Sequence, residues 1–220
     1  MAYIYLFYDW DWDAAGSEYK KAVQYGLTEQ NELITYFDIF LNNDYERAIR
    51  VSKQMLISDP LHVVSHWQLG ICYYFAERFE EALVSFNNAL EINPNYSDGH
   101  HWKGLVLAYL GKYEKAMSSL EKSLEITQGQ GLAKLDLLTV KILMGDKEEA
   151  LQIIKSREYI DPGDAARLYT LLEMPDEAIF WLEKGYRERS VTLVTIKNYW
   201  VWDPLRNDPR FIEIYNRMNF

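Results

Sequence analysis

Four alanines, Ala48, Ala82, Ala116 and Ala150, stand at a constant spacing of 34 residues in a chain of 220. An interval held three times over constrains the fold more than any local motif, because a repeated interval means a repeated packing environment. Gly70 and Gly104 keep the same interval, as do Gly111 and Gly145, the aromatics Tyr45, Phe79 and Tyr113, and Pro60 and Pro94. A pair of antiparallel helices per unit accounts for these choices. Small residues let two helices approach closely, an aromatic fills the space beside them, and proline closes the second helix because it cannot continue one.

The segment VVSHWQLGICYYFAERFEEALVSFNNALEINP carries Leu69, Gly70, Tyr73, Phe79, Ala82, Phe86, Ala89 and Pro94. At these offsets it resembles a tetratricopeptide repeat. The likeness extends outward with decreasing fidelity. Ala15, Tyr19 and Ala22 fall as in a second helix 33 residues before Ala48, and Ala178 follows Ala150 by 28, across a shorter linker around IDPGD. The expected fold class is all-α, a right-handed α-solenoid of about six helix pairs with a C-terminal capping helix. The array is placed over residues 1–202, with units near 1–28, 29–62, 63–96, 97–130, 131–158 and 159–190 and a linker, and the cap over 203–220. The first unit has only MAYIYLFY for its leading helix, where an array normally starts with a polar face. Two readings account for this. The favoured one is that the chain is the carboxyl-terminal part of a longer protein; the other is that the aromatic start packs back on the array or on a partner.

A formal charge of −10 with a sequence pI near 4.9 argues against a nucleic-acid surface, which needs clustered Lys and Arg. The single Cys72 gives neither a disulfide framework nor a cysteine-based zinc site, and a reducing, cytoplasmic compartment is the simple expectation. The opening residues lack the basic flank and small-residue cleavage site of a signal peptide, and no apolar run approaches a membrane span.

Candidate chemistry is sparse. His66 and His100 occupy the same repeat position, with His101 next to the latter. Equivalent positions on stacked repeats lie roughly 10 Å apart, too far to share one zinc ion, so no metal or other cofactor is expected. The acids of YDWDWD read as a helix start favoured by the macrodipole. GQGLAK lacks the strand and spacing of a phosphate loop and reads as the turn between the fourth and fifth units, with Gly131 opening the next helix. No catalytic residue is assigned. In WDPLRNDPRF, Asp203-Pro204 and Asp208-Pro209 each match a helix start, with Asp as N-cap and Pro at the first helical position. The second leads into an apolar face of Phe211, Ile212, Ile214, Tyr215 and Met218, and Arg206 and Arg210 read as structural supports.

The family resemblance implies a ligand groove lined by the first helix of each unit. Carried onto this chain, the wall comprises Leu33, Phe37 and Phe40; Val64, Trp67, Ile71 and Tyr74; Asp98, His101, Leu105 and Ala108; Leu135, Thr139 and Ile142; and Arg167 with Thr170. The tentative contact set within it is Leu33, Phe37, Phe40, Trp67, Ile71, Tyr74, His101, Leu105 and Arg167. This wall is mostly aromatic and aliphatic. It departs from the Lys, Asn and Arg clamp by which chaperone-binding members of the family hold a terminal carboxylate, and it suits a segment with apolar anchors. The alternative is that Phe37 and Trp67 simply fill the array. The tail, with the DWDWDAAGSEYKKA stretch, also resembles the C-terminal arrays of bacterial signalling proteins, where such arrays follow DNA-binding, cyclase or kinase domains. The resemblance implies a non-enzymatic module that binds a protein or peptide as the sensory or scaffolding part of a regulator; the acidic charge and the lack of an apolar span lead to the expectation of no direct nucleic-acid or membrane binding. Self-association through the aromatic start is the alternative, which leaves a homo-oligomer open.

Overall fold

The computed structural model describes residues 1–25, 32–156, 160–197 and 199–219; within these, the side chains of Val23, Glu32, Leu33, Ile34 and Glu149 are left aside. Every regular element among the described residues is helical, and none is long and apolar enough to cross a membrane. The helices follow one another as pairs. α1 (Ala2–Ile4) runs into a π-helical turn (Tyr5–Asp9) and is followed by α2 (Trp12–Gln24). α3 (Glu32–Phe37) likewise runs into a π-helical turn (Asp38–Asn42) before α4 (Tyr45–Ser58). Then come α5 (Val63–Phe75) and α6 (Phe79–Ile92), α7 (Ser97–Tyr109) and α8 (Tyr113–Ile126), α9 (Ala133–Met144) and α10 (Lys147–Ser156), and α11 (Pro162–Leu171) and α12 (Pro175–Glu188). Two 3₁₀ helices (Val191–Lys197 and Trp200–Leu205) lead to α13 (Pro209–Arg217).

The 34-residue ruler has a direct physical cause. Ala48, Ala82, Ala116, Ala150 and, beyond the strict interval, Ala15 and Ala178 are all fully buried. On the facing helices, two glycines are tightly packed. A Cβ on Gly70 would lie 2.5 Å from the Phe86 ring, and one on Gly104 would lie 2.6 Å from Leu120. Tyr45, Phe79 and Tyr113 are the first residues of α4, α6 and α8. The turn inside each pair carries one residue of positive φ: Trp10, Asn43, Glu77, Gly111, Gly145 and Glu173. Gly111 and Gly145 suit that backbone, whereas Trp10, Glu77 and Glu173 hold a conformation that costs most side chains energy.

Two compact units are present, and each is described by itself. One is the continuous stretch Leu27–Met144. Its core is aromatic: Tyr74 meets the rings of Phe75, Phe79 and Trp102 at 5.4, 5.8 and 5.3 Å, each edge-on, and Phe40 meets Phe75 edge-on at 5.0 Å. Such tilted contacts place ring edges on ring faces and add to simple burial.

The other unit joins Met1–Gly26 to Gly145–Phe220. Here the aromatic start is packed on the end of the chain. Leu6 is fully buried, the Trp12 indole N–H donates to the Met218 carbonyl at 2.8 Å, and the Arg189 guanidinium donates to the Asp9 carbonyl. Trp10 stands 5.9 Å from the Tyr186 ring, and the Arg189 guanidinium lies over the Trp10 ring at 5.5 Å. The segment thus packs against the C-terminal helices.

The two Asp-Pro pairs behave differently. Asp208 caps α13, accepting from the Arg210 amide at 2.9 Å with Pro209 at the first position. Asp203-Pro204 does not start a helix, contrary to the expectation. A 3₁₀ helix already begins at Trp200 because Val201, Trp202 and Leu205 are drawn into the core, and Pro204 falls inside it. Asp203 instead pairs with Arg206 at 2.7 Å, and Arg210 bridges Asp208 and Asp176, both at 2.7 Å. Asp11 accepts from the Ala14 amide at 2.9 Å, so the acidic run does begin α2.

Candidate functional site

The residues expected to line the groove lie on α3 and its π turn, α5, α7, α9 and α11, and the chain's own packing engages most of them. Phe37, Phe40, Ile71, Tyr74, His101, Leu105 and Arg167 are buried, as are Ala108, Thr139, Ile142 and Thr170. Trp67 is half-buried, its ring edge-on to Tyr96 at 6.2 Å, and its indole N–H has no acceptor among the described residues. Val64 and Leu135 are half-buried and Asp98 is exposed. The side chain of Leu33 lies outside the described residues.

Polar side chains are stitched into these first helices, and sequence reasoning missed their pairing. In the unit Leu27–Met144, buried Gln68 of α5 donates to buried Thr35 of α3. His101 Nε2 and Asp136 Oδ2 meet at 2.6 Å between α7 and α9, both buried. A buried carboxylate facing an imidazole is satisfied where either alone would be costly. In the other unit, Arg167 and Asp164 of α11 approach to 3.7 Å, and Asp164 accepts from the Thr192 hydroxyl at 3.1 Å. The interval itself held the signal. Gln68 lies 33 residues after Thr35, and Asp136 lies 35 after His101, so near-equivalent positions on successive repeats pair with one another.

His66 and His100 show the same regularity. His66 Nε2 meets the Pro60 carbonyl at 2.9 Å and His100 Nε2 meets the Pro94 carbonyl at 2.8 Å, so one local bond is made twice, a repeat apart.

Asp38 sits at the start of its π turn, fully buried. It accepts from Arg47 at 2.8 Å and Asn42 at 3.1 Å on one oxygen, while its other oxygen has no partner among the described residues. Loss of hydration raises its pKa above the usual carboxylate range, against the pull of Asn42 and Arg47. Burial pushes the Cys72 thiol up to about 12, and the Ser52 hydroxyl lies within hydrogen-bond reach of it at 3.4 Å. A thiol held protonated in this way is a poor nucleophile.

An open cleft of about 840 Å³ lies on a different face of the same unit, between α6, α7 and α8. Leu83 and Leu107 supply its apolar part, and Asn87, Ser118 and Ser119 supply neutral polar groups. Lys103, Lys112, Lys115 and Lys122 line it together with Glu114, Glu121 and Glu125. Only Lys122 and Glu125 pair among the described residues, at 2.9 Å. The other three lysines have no carboxylate partner among those residues. The cleft therefore offers an apolar floor, neutral hydrogen-bonding groups and, apart from the Lys122–Glu125 pair, charges of both signs that make no ion pair among the described residues.

Three models of the tetratricopeptide repeat match the chain, over residues 68–96, 85–117 and 107–184. No curated protein sequence matches it. Among solved structures, a tetratricopeptide repeat protein from Parabacteroides merdae is similar at a TM-score of 0.59 and 18% identity, with 99% of this chain and 89% of that one covered. A thermophilic tetratricopeptide repeat protein of Thermus thermophilus is similar at a TM-score of 0.60 and 17% identity, with 87% and 97% covered. At such identities the likeness is one of fold. The period, the buried alanines, the glycine contacts and these matches agree: residues 68–184 are tetratricopeptide repeats, and the all-α fold of the chain is of the tetratricopeptide solenoid class.

Proposed function

We propose that the chain is a non-enzymatic module that binds a segment of another protein. The observation that carries this reading is the open cleft of about 840 Å³ built from α6, α7 and α8, within matched repeats. Its apolar floor suits one or two aliphatic anchors, and its unneutralised lysines and glutamates suit a flanking segment of mixed charge. The inner wall of the first helices is a weaker candidate because, among the described residues, burial leaves Trp67, Val64 and Leu135 as its accessible apolar groups. In this reading Phe37, Phe40, Ile71, Tyr74 and Leu105 form the layer beneath. No catalytic role is assigned to His101 and Asp136, which are engaged with one another at 2.6 Å. The formal charge of −10 makes nucleic acid a poor ligand.

The test is selection of peptides from a displayed library on the full chain, with binding then measured for Lys103→Glu, Leu83→Asp and Trp67→Ala variants. Selected peptides are expected to weaken about tenfold with either cleft variant and to be unaffected by Trp67→Ala, provided circular dichroism shows intact helices. Peptides indifferent to both cleft variants would overturn this assignment, and peptides lost only in Trp67→Ala would move the site to the inner wall.

A scaffolding or sensory role within a larger bacterial regulator is the context this reading favours, on the likeness of the tail to such arrays. Self-association is the second reading. Met1, Tyr3, Ile4 and Tyr8 leave exposed apolar surface along the opening segment, and the Tyr3 ring meets Phe7 at 4.5 Å, tilted, beside it. Sedimentation over a hundredfold range of concentration separates the two, since a constant monomer mass removes the second.

A further inference from the structure

In the unit formed by the two ends of the chain, two clefts adjoin and share Trp10 and Arg189 in their walls. The first, of about 340 Å³, is lined by Arg187, Arg189 and Arg217 with the Trp10 and Tyr186 rings, and no acidic side chain lines it among the described residues. The second, of about 480 Å³, is lined by Asp9, Asp11 and Asp13 with Trp12, and Arg189 is the cationic group in its wall. Arg217 pairs with Glu183 and lies over the Tyr186 ring at 4.5 Å. Arg187 and Arg189 make no ion pair among the described residues, and neither do Asp9, Asp11 or Asp13. Arg187 is engaged through Nε with the Glu183 carbonyl at 3.3 Å, and Arg189 is engaged with the Asp9 carbonyl and the Trp10 ring.

Opposite charges line adjoining walls here without neutralising one another, an arrangement that wastes Coulomb energy unless something bridges it. Trp10, between the two groups, is a bulky residue held at a φ of 51°, in the left-handed region that such residues avoid. Its indole is more than nine-tenths buried, yet its N–H has no acceptor among the described residues. The positive φ is the one that the turn of every helix pair carries, whereas the buried and unpartnered indole donor between two groups of opposite charge is particular to this place.

We propose that the paired clefts bind a small zwitterion, an α-amino acid or a ligand of that charge pattern. Its carboxylate is received by Arg187 and Arg189 and its ammonium by the aspartates of the neighbouring cleft, where Asp9 and Asp11 flank Trp10 in the chain. A planar guanidinium fork suits a carboxylate, and the combined space admits a molecule of that size. The Trp10 and Tyr186 rings supply the surface for its apolar part. A dianion is disfavoured by Asp9, Asp11 and Asp13, and a simple cation by the arginines. The site is separate from the protein-binding cleft of the other unit, so either proposal can fail alone.

The test uses the full chain with glycine, alanine, leucine and phenylalanine as probes, read by calorimetric titration and thermal melting, with acetate, methylammonium and inorganic phosphate as controls. At least one amino acid is expected to bind in the millimolar range or tighter and to raise the melting temperature, at least tenfold more strongly than acetate or methylammonium. Arg187→Gln and Asp9→Asn, both exposed and neither a helix cap, are each expected to weaken it about tenfold, with the unliganded melting temperature unchanged. Absence of binding by every amino acid would overturn the proposal. So would equal binding of acetate or phosphate, or binding indifferent to both variants.

Discussion

At the scale of single residues, two side chains are held against their own preferences. Asp38 is fully buried with its pKa raised by lost hydration, so the folded state favours its protonated form. The stability linked to this group is fully present below the ordinary aspartate range, is lost as pH rises towards the raised folded value, and stays lost at neutral pH. Asp38→Asn removes that loss, so its stability relative to the parent is expected to improve as pH rises from about 4 to about 7. Urea unfolding across that range checks the slope; a variant that loses ground with rising pH would show that the Arg47 pairing at 2.8 Å dominates instead. Glu77 is exposed and sits at a φ of 58° in the turn where other repeats carry Gly111 and Gly145. Glu77→Gly is expected to stabilise the chain by about 0.5–1 kcal/mol, because a glycine accepts that conformation without strain. A thermal melt that falls on this substitution would contradict the account of the turn.

At the scale of elements, the helix pair is the unit of packing, and close approach depends on glycine and alanine. Gly70→Ala would thrust a methyl group to 2.5 Å from the Phe86 ring, in a place already filled. It is expected to cost about 1–3 kcal/mol in urea unfolding, whereas an alanine in an exposed helix normally stabilises. This layer of structure was legible in the sequence because each repeat solves the same packing problem with the same residue. Ala48, Ala82 and Ala116 report one environment three times over. What was not legible is equally physical. The left-handed turn residues Trp10, Glu77 and Glu173 fill the same place in their turns as Gly111 and Gly145 but differ from them in type, since neighbouring contacts outweigh a strain of about a kilocalorie. Asp203-Pro204 carries every local mark of a helix start, yet burial of Trp202 and Leu205 sets the path of the backbone there. The Gln68–Thr35 and His101–Asp136 pairs escaped because hydrophobic periodicity does not reveal which polar side chains will face one another across two helices.

At the scale of the whole molecule, the chain's two ends share one compact unit, which no local pattern announces. Trp12 and Met218 are 206 residues apart in sequence, and their contact depends on everything folded between them. Trp12→Phe keeps the aromatic burial and removes the hydrogen bond to the Met218 carbonyl; a loss of about 1 kcal/mol is expected, seen as faster amide exchange in α2 and α13 together. Faster exchange in one of them alone would mean that the ends are not coupled through this contact. The candidate binding surface was legible only in class. The groove positions carried over from the family are occupied largely by the chain's own aromatic core, and the open cleft lies between α6, α7 and α8. Hydrogen–deuterium exchange of the full chain with and without a library-selected peptide tests this most directly. Added protection is predicted in residues 79–92 and 113–126, the two second helices that flank the cleft. Protection confined to α3, α5 and α9, with α6 and α8 unchanged, would contradict it.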